Sequence, residues 1–237
     1  MEQRLLRRWS EIADRAGRDG LTRDEHARAL ALTQRLDRAL RAAGKARTGT
    51  PILPAHTDWW WRPDAWSRLL LPRGVAAKDS ETRFSDDVSV FHDGPGGEVL
   101  VRQTRNVSGA AKTDYGLAVD VFRFGGSYLS LVFDIPRTVT AALRKRHVIR
   151  LETGIETERP TEILGRLNIQ HGPNTERLVR ELPFGDTRQT VDFDLAITRV
   201  DTSRVGHMWL DLIFERPHMN GLRIADFVLS RQPRAEL

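Results

Sequence analysis

Asp192 and Asp194 form the pair whose residue type and spacing best suit covalent chemistry. They lie two positions apart in "TVDFDLAIT", where apolar and polar residues alternate. Residues two apart in a β-strand point to the same face, so the two carboxyl groups would be neighbours, and paired carboxyl groups can cleave glycosidic bonds. The alternation alone explains them as the polar outer face of a strand. We favour this second interpretation and expect a protein that is not an enzyme. The inward residues would be Val191, Phe193, Leu195 and Ile197.

Other catalytic and metal-binding patterns are missing from the sequence. There is no G-x-S-x-G motif, and no serine lies beside a histidine in a nucleophile elbow. The seven histidines include no pair with H-x-x-x-H or H-x-H spacing, and the chain has no cysteine, which excludes disulfides and thiolate zinc sites. The glycine-rich "FGGS" and "GPGG" lack the lysine of a P-loop and are typical of hairpin turns. We expect no catalytic residues and no cofactor.

Asp226 is the one candidate ligand for a metal ion. It lies in "IADFVLS", which resembles the closing strand of jelly-roll carbohydrate-binding modules, where an aspartate at such a position can bind structural calcium. Calcium requires six or more oxygen ligands, and the sequence identifies only this one. A solvated strand carboxylate is therefore the favoured interpretation, and structural calcium is the alternative.

A tryptophan-rich segment, "HTDWWWRPDAW", contains four of the six tryptophans of the chain. In an extended backbone, Trp59 and Trp61 point one way and Trp60 points the other way. Such a segment can contact two surfaces at once, which favours an interface over a sugar-binding or membrane-binding role. The residues expected at an assembly interface are Trp59, Trp60, Trp61, Trp66, Leu32, Leu36 and Leu40.

Exposed aromatic residues on a β-sandwich are candidates for sugar contact, because flat rings stack on the apolar faces of sugars. In "HMWLDLIFE" the alternation places Met208 and Leu210 inward and Trp209 outward. Packing against a neighbouring segment is the alternative for each candidate. The candidate sugar contacts are Trp209, Tyr115 and Phe122.

Residues 1–47 hold 12 Lys/Arg against 7 Asp/Glu, which accounts for the whole formal net charge of +5. Apolar residues at helical spacing predict a helix over 2–17 and a second from about Arg23 to Ala43. Between them, Thr22 and Glu25 of "TRDE" form a capping box. Two narrow apolar stripes cannot build a core alone, so this basic hairpin must dock on its own domain or on a partner. Acidic residues interleave with the arginines, which disfavours binding to nucleic acid.

Residues 48–87 are predicted to be a Pro/Trp-rich linker with a short helix. Two prolines and polar spacers in "TGTPILPAHTD" are typical of a linker. Pro63 suits the first position of a helix that Pro72 ends. In this helix Trp66 and Leu70 would share one face.

Residues 88–237 are predicted to form an antiparallel β-sandwich of jelly-roll type. The apolar period changes to two, and turn signals such as "DGPGG" and "HMNG" separate the segments. Eight or nine strands with polar outer faces suit such a sandwich. The fold class is therefore mainly β, with an N-terminal α-helical hairpin. The candidate strands are 88–92, 98–105, 116–124, 127–136, 147–157, 163–170, 190–198, 207–215 and 222–230.

Two stretches carry a family resemblance: "FHDGPGGEVLVRQTRNVSGAAKTDYGLAVDVFRFGGSYLSLVFDIP" and "WLDLIFERPHMNGLRIADFVLSRQ". They resemble an alphaproteobacterial family that includes the head-spike base protein of gene transfer agents, phage-like particles that carry host DNA between cells. The resemblance implies a structural protein on the head of the particle, forming a homo-oligomeric ring. It implies capsid or other particle proteins and a fibre protein as partners, with the fibre meeting cell-surface polysaccharide. It transfers no site residues.

The sequence therefore predicts a non-enzymatic structural or adaptor protein of a phage-like particle. It would assemble through its N-terminal and Trp-rich segments and support a surface fibre. A carbohydrate-binding β-sandwich module that recognises a polysaccharide is the alternative. The first residues are charged throughout and lack the apolar core of a secretory signal, so we expect synthesis in the cytoplasm and then incorporation into a particle. No apolar run approaches the roughly 20 residues of a membrane span.

Overall fold

The computed structural model describes residues 2–42, 51–106, 113–183, 185 and 188–234. The chain divides into two compact units, Met1–Ala46 and Arg47–Leu237. The first unit is helical, and the second consists mainly of two antiparallel β-sheets that form a sandwich. The predicted fold class, mainly β with an N-terminal helical hairpin, is therefore confirmed.

Two helices form the N-terminal unit, α1 (Glu2–Asp19) and α2 (Arg23–Ala42). The predicted capping box is present where α2 begins. The backbone N–H of Thr22 donates to Oε2 of Glu25 at 3.1 Å, and the backbone N–H of Glu25 donates to Oγ1 of Thr22 at 3.3 Å. These bonds satisfy amides that have no partner inside the helix. The same contacts with Thr22 lower the pKa of the Glu25 carboxyl group.

The described part of the second unit contains thirteen strands, one short α-helix and three 3₁₀ turns. The helix α3 is Asp64–Ser67, and the turns are Arg137–Ala142, Leu195–Ile197 and Thr202–Arg204. The strands are β1 (Trp59–Trp61), β2 (Gly74–Ala77), β3 (Glu81–Arg83), β4 (Val88–His92), β5 (Val99–Arg105), β6 (Tyr115–Val121), β7 (Tyr128–Asp134), β8 (His147–Thr157), β9 (Ile163–His171), β10 (Asn174–Glu181), β11 (Gln189–Asp194), β12 (Val205–Glu215) and β13 (Asn220–Pro233).

The strands form a seven-stranded and a six-stranded sheet, with every pairing antiparallel. The seven-stranded sheet has the order β11-β8-β13-β6-β5-β2, with β1 added alongside β13, and the six-stranded sheet has the order β10-β9-β12-β7-β4-β3. A register shift between Ile224 and Asp226 divides β13, whose first half pairs with β6 and whose second half pairs with β1. Phe133 and Phe227, one from each sheet, stack in the core with ring centroids 4.3 Å apart. Buried and outward-facing residues alternate along the strands. Each sheet therefore has one side that faces the core and one side that faces outward.

The segment that we expected to be a linker is part of the sandwich. β1 and β2 belong to the seven-stranded sheet, and β3 belongs to the six-stranded sheet. The single turn of α3 buries Trp66, whose indole N–H donates to the backbone oxygen of Ile224 at 3.1 Å and whose ring stacks on Phe227 with centroids 5.4 Å apart. The linker prediction for 48–87 is therefore wrong over its described part, because β1, β2 and β3 are strands of the two sheets. The short helix that the prediction included is present as α3.

Two details of the strand prediction also differ from the structure. β11 ends at Asp194, whose carboxylate accepts the backbone N–H of Ala196 at 2.9 Å and begins a 3₁₀ turn. As a result Ile197, which we expected to face inward, is 67% exposed. The edge strand β10 was not predicted, because its many charged residues hide the alternation. Leu178 is the only residue of β10 that is buried.

Candidate functional site

Asp192 and Asp194 each have an arginine partner. Arg150, opposite Asp192 on β8, donates to both of its carboxylate oxygens at 2.7 Å, and this hydrogen bonding raises the pKa of Arg150. Asp194 caps the 3₁₀ turn, and its other oxygen lies 3.4 Å from Nε of Arg234. These contacts give both carboxylates a structural role, because they hold the edge of the seven-stranded sheet together.

Asp226 lies beside a buried cation. Its Oδ1 is 3.2 Å from Nε of Arg62 and accepts the backbone N–H of Phe227 at 2.8 Å. Burial lowers the pKa of Arg62, and the charge of Asp226 opposes this effect. The positive charge beside the Asp226 carboxylate is thus supplied by the guanidinium group of Arg62, in the place where a bound calcium ion would supply it. Among the residues that the structure describes, no three His, Cys, Asp or Glu side chains are grouped to hold a metal ion. The calcium site stays a prediction from the sequence.

The three consecutive tryptophans form β1 and alternate as predicted. Nε1 of Trp59 donates to Oγ1 of Thr138 at 3.2 Å, and Trp61 meets Phe227 edge to face with centroids 6.3 Å apart. Both rings pack against the core. Trp60 points the other way and is 41% exposed. Two of the three rings therefore anchor β1 to the sandwich, and only Trp60 is available to another surface.

Trp66 and Tyr115 are buried residues of the sandwich. Trp66 is completely buried, and Tyr115 is buried beneath the guanidinium group of Arg105, which lies 6.0 Å from the ring centroid. The assignment of Trp66 to an interface and of Tyr115 to sugar contact is therefore corrected. Both rings fill space inside the folded unit and leave little surface for a ligand.

The other predicted residues lie on separate parts of the chain. Phe122 is half-exposed, but it follows β6 of the seven-stranded sheet, whereas Trp209 belongs to the six-stranded sheet. In the helical unit, Leu36 is exposed and Leu32 is partly buried. The side chain of Leu40 lies outside the described residues. Within the sandwich, Phe122 and Trp209 thus lie on different sheets and do not form one site.

Trp209 lies in the middle of the six-stranded sheet, on its outer side. β12 runs between β9 and β7, and Trp209 alternates with the buried Met208 and Leu210. His207, two residues earlier, stacks on the indole with ring centroids 5.1 Å apart and planes 23° apart. Nε2 of His207 is 3.2 Å from Oδ1 of Asp134, the residue opposite Trp209 on β7. Two strands therefore hold the indole in place.

A buried polar cluster lies beside Trp209. Asp211 has the same outward register as Trp209, yet it is only 2% exposed. Its Oδ2 accepts from Nε of Arg166 at 2.6 Å and from Nδ2 of Asn168 at 3.0 Å. A carboxylate removed from water is stable only when it is paired and hydrogen-bonded, and these donors meet that need. We call the following set the Trp209 face: Asp134, Arg166, Asn168, His207, Trp209 and Asp211.

The Trp209 face can bind hydroxyl groups beside an apolar plane. The indole offers a flat apolar surface, and the partly exposed side chains of Arg166, His207 and Asp134 offer donors and acceptors beside it, while the buried Asp211 and Asn168 hold Arg166 and the strands in place. Exposed polar residues of β9 and β10 continue the face: Gln170, Thr175 and Arg177. Sequence reasoning identified Trp209 and missed its neighbours. The alternation of "GRLNIQ" in β9 was the signal that could have identified Arg166 and Asn168.

The model of DUF6478, a family of unknown function, matches residues 1–237. The chain belongs to this family. A search of the curated proteins finds no match. The resemblance to the head-spike base protein of gene transfer agents stays a prediction.

Several solved structures are similar to the sandwich. A family 11 carbohydrate-binding module from Clostridium thermocellum is 13% identical, with a TM-score of 0.43 over 70% of this chain and 97% of that chain. A xylan-binding domain from Paenibacillus barcinonensis is 9% identical, with a TM-score of 0.38 over 69% of this chain and 94% of that chain. The enzymatically active domain of a bacteriophage CBA120 tailspike protein is 10% identical, with a TM-score of 0.45 over 68% of this chain. The match spans only 21% of that tailspike chain.

Among the described residues, none of the helices combines the length and the apolar character needed to cross a membrane.

Proposed function

We propose that the protein is a non-enzymatic module that binds polysaccharide through the Trp209 face. The observation that carries this proposal is the position of Trp209, central on an open sheet and next to the Arg166–Asp211–Asn168 cluster. A sugar ring would stack its C–H groups on the indole, while its hydroxyl groups exchange hydrogen bonds with the exposed parts of Arg166, His207 and Asp134. The combination of an apolar plane and polar edges matches the two-sided character of a pyranose.

The shape of the face favours a polymer over a single sugar. The outer side of a sheet is open along its strands, so a chain can continue past the protein in both directions. The donors and acceptors of the cluster are held by their own hydrogen bonds, which lowers the conformational entropy lost on binding. A preorganised and open surface supports a polysaccharide as the ligand.

The contacts of the carboxylates support binding without cleavage. The pair suggested by the sequence, Asp192 and Asp194, lies on the seven-stranded sheet and is engaged by Arg150 and Arg234. On the Trp209 face, the carboxylate of Asp211 is buried against two donors. An acid in glycoside cleavage must deliver a proton to the bond that breaks. These ion-paired groups are better suited to a structural role.

The decisive experiment compares two tryptophan variants on a glycan array and then by affinity electrophoresis. We expect the unmodified protein to bind at least one polysaccharide and Trp209→Ala to weaken that binding at least about tenfold. Trp60→Ala is the matched control, because Trp60 is exposed on the other sheet. Failure of the unmodified protein to bind any glycan, or equal losses in both variants, would contradict the proposal.

Cleavage is tested separately on any polysaccharide that binds. We expect no release of reducing ends during long incubation with the unmodified protein. Release that disappears in an Asp192→Asn/Asp194→Asn double variant would show an enzyme, and the non-enzymatic part of the proposal would be wrong.

The structural or adaptor role in a phage-like particle is a second candidate function. The helical unit supports it, because its two helices leave the large apolar side chains of Leu5, Leu6 and Leu36 exposed. Capsid and fibre genes beside the gene for this chain are the expected finding. Family members whose neighbourhoods consistently lack such genes would count against this role.

A further inference from the structure

The two helices of the N-terminal unit form an apolar groove with a basic rim. The groove has a volume of about 330 Å³, and both helices contribute to its walls. Its apolar lining includes Leu5, Trp9, Ile12 and Leu32. Its rim carries Arg8, Arg28 and Arg35.

The positive charges of the arginines on this rim are available to a binding partner. Within the described ranges, none of Arg8, Arg28 and Arg35 forms an ion pair with a carboxylate. The acidic residue at the groove, Glu25, already pairs with Arg15. The three arginines at this apolar groove therefore have no ion-paired carboxylate among the described residues, and the one acidic residue of the lining is engaged elsewhere. An occupant with carboxylates at its edges would complement both the apolar surface and the charge.

We propose that this groove docks an acidic amphipathic helix of a partner protein. The apolar stripe of that helix would fill the groove, and its flanking Glu or Asp side chains would pair with the three arginines. This interaction is independent of polysaccharide binding by the Trp209 face. It gives the helical unit the role of attaching the sandwich to another protein.

Two other occupants fit the groove less well. A second copy of the hairpin would bring like charges together, because residues 1–47 hold 12 Lys/Arg against 7 Asp/Glu. A lipid surface would be met best by a convex apolar stripe that lies in the plane of the bilayer. Here Trp9 and Leu32 instead line a concave groove between two helices.

A designed peptide tests the proposal on the full chain. The probe is a fluorescein-labelled helix of about 21 residues with leucine at heptad a and d positions and glutamate at the flanking positions. A second peptide has the same composition in scrambled order, which preserves the charge and removes the apolar stripe. We expect fluorescence anisotropy to show binding of the patterned peptide and little binding of the scrambled one.

Charge-reversal variants locate the binding surface. We expect Arg28→Glu/Arg35→Glu to weaken binding of the patterned peptide at least about tenfold. The matched control is Arg7→Glu/Arg23→Glu, which makes the same change in charge at exposed positions outside the groove lining. Circular dichroism should show equal helix content in both variants, since all four positions are solvent-facing.

Four results would overturn the proposal. One is failure of the patterned peptide to bind, and another is equal binding of the scrambled peptide. A third result is that the protein binds phosphatidylserine/phosphatidylcholine vesicles and not the peptide, and that Arg28→Glu/Arg35→Glu abolishes this binding. That result would indicate a lipid surface as the occupant. The fourth is a concentration-dependent dimer in light scattering that the same variant dissociates, which would indicate a second copy of the chain.

Discussion

The indole of Trp209 stacks on the imidazole of His207, with ring centroids 5.1 Å apart and ring planes 23° apart. The imidazole is itself held by Asp134 of the neighbouring strand, with Nε2 3.2 Å from Oδ1. Residues two apart on a strand share a face, and cross-strand contacts restrict their rotamers. One side of the indole is therefore covered by protein, and its orientation on the sheet is set before a ligand arrives.

Removing this stack should weaken polysaccharide binding moderately. We expect His207→Ala to lower affinity about threefold, because an aromatic pair contributes about 0.5–1.5 kcal/mol and its loss lets the indole rotate. His207→Phe keeps a ring against Trp209 and should retain most of the affinity. Isothermal titration calorimetry with the polysaccharide identified on the array measures both. Unchanged affinity in His207→Ala would show that the stack does not orient the indole for binding.

The buried carboxylate of Asp211 should matter more for stability than an exposed one. Asp211→Asn removes the negative charge of the carboxylate that accepts hydrogen bonds from Arg166 and Asn168. We therefore expect the free energy of unfolding to fall by about 1–3 kcal/mol. The control is Asp120→Asn, whose partner Arg102 lies at 2.8 Å in a more exposed ion pair, and such pairs contribute about 0–1 kcal/mol. Urea unfolding of the two variants measures the difference. Equal losses would contradict the structural role assigned to Asp211.

Two neighbouring tryptophans should differ strongly in their effect on stability. Trp66 is completely buried and bonds to Ile224, so Trp66→Ala should cost about 3–5 kcal/mol through the lost contacts and the cavity. Trp60→Ala alters an exposed side chain and should cost less than about 1 kcal/mol. Thermal and urea unfolding test this pair. A small effect of Trp66→Ala would contradict the packing role assigned to this residue.

The buried imidazole of His147 should make stability depend on pH. Its Nδ1 accepts the backbone N–H of Arg144 at 3.1 Å, which requires an unprotonated nitrogen. Burial, aided by the positive charge of Arg231, lowers the pKa of His147 in the folded chain. The unfolded chain therefore takes up the proton first, and stability should fall as the pH drops below about 6.5, down to the lower pKa of the folded state.

The variant His147→Gln isolates this effect. Melting temperatures measured from about pH 8 to about pH 5 should decline less in His147→Gln than in the unmodified chain. His26→Gln is the control, because His26 is an exposed residue of α2. A decline of the same size in His147→Gln and in the unmodified chain would assign the pH dependence to other groups.

Local patterns predicted much of the fold. The alternation over 147–157 and 88–92 predicted β8 and β4 with the bounds that the structure has. The contacts between Thr22 and Glu25 were also predictable, because a capping box depends only on residues three positions apart. Such features rely on the geometry of neighbouring peptides and are therefore visible in the order of residues.

Short strands and buried aromatic residues were harder to predict. β1 has three residues, too few to display a period, and its pairing partner β13 lies far along the chain. The apolar character of Trp66 suits a core and an interface equally well, and only the neighbouring Phe227 and Ile224 decide between them. In these cases the deciding contacts are non-local.

The Trp209 face shows the same division. The order of residues in β12 determined that Trp209 alternates with Met208 and Leu210 and so faces outward, because successive side chains in a strand point to opposite sides. Only the antiparallel pairing of β12 with β9 and β7 decided that Asn168 and Asp134 lie on either side of Trp209. Strand pairing is selected by burial across the whole sandwich, and no single stretch of sequence contains that information.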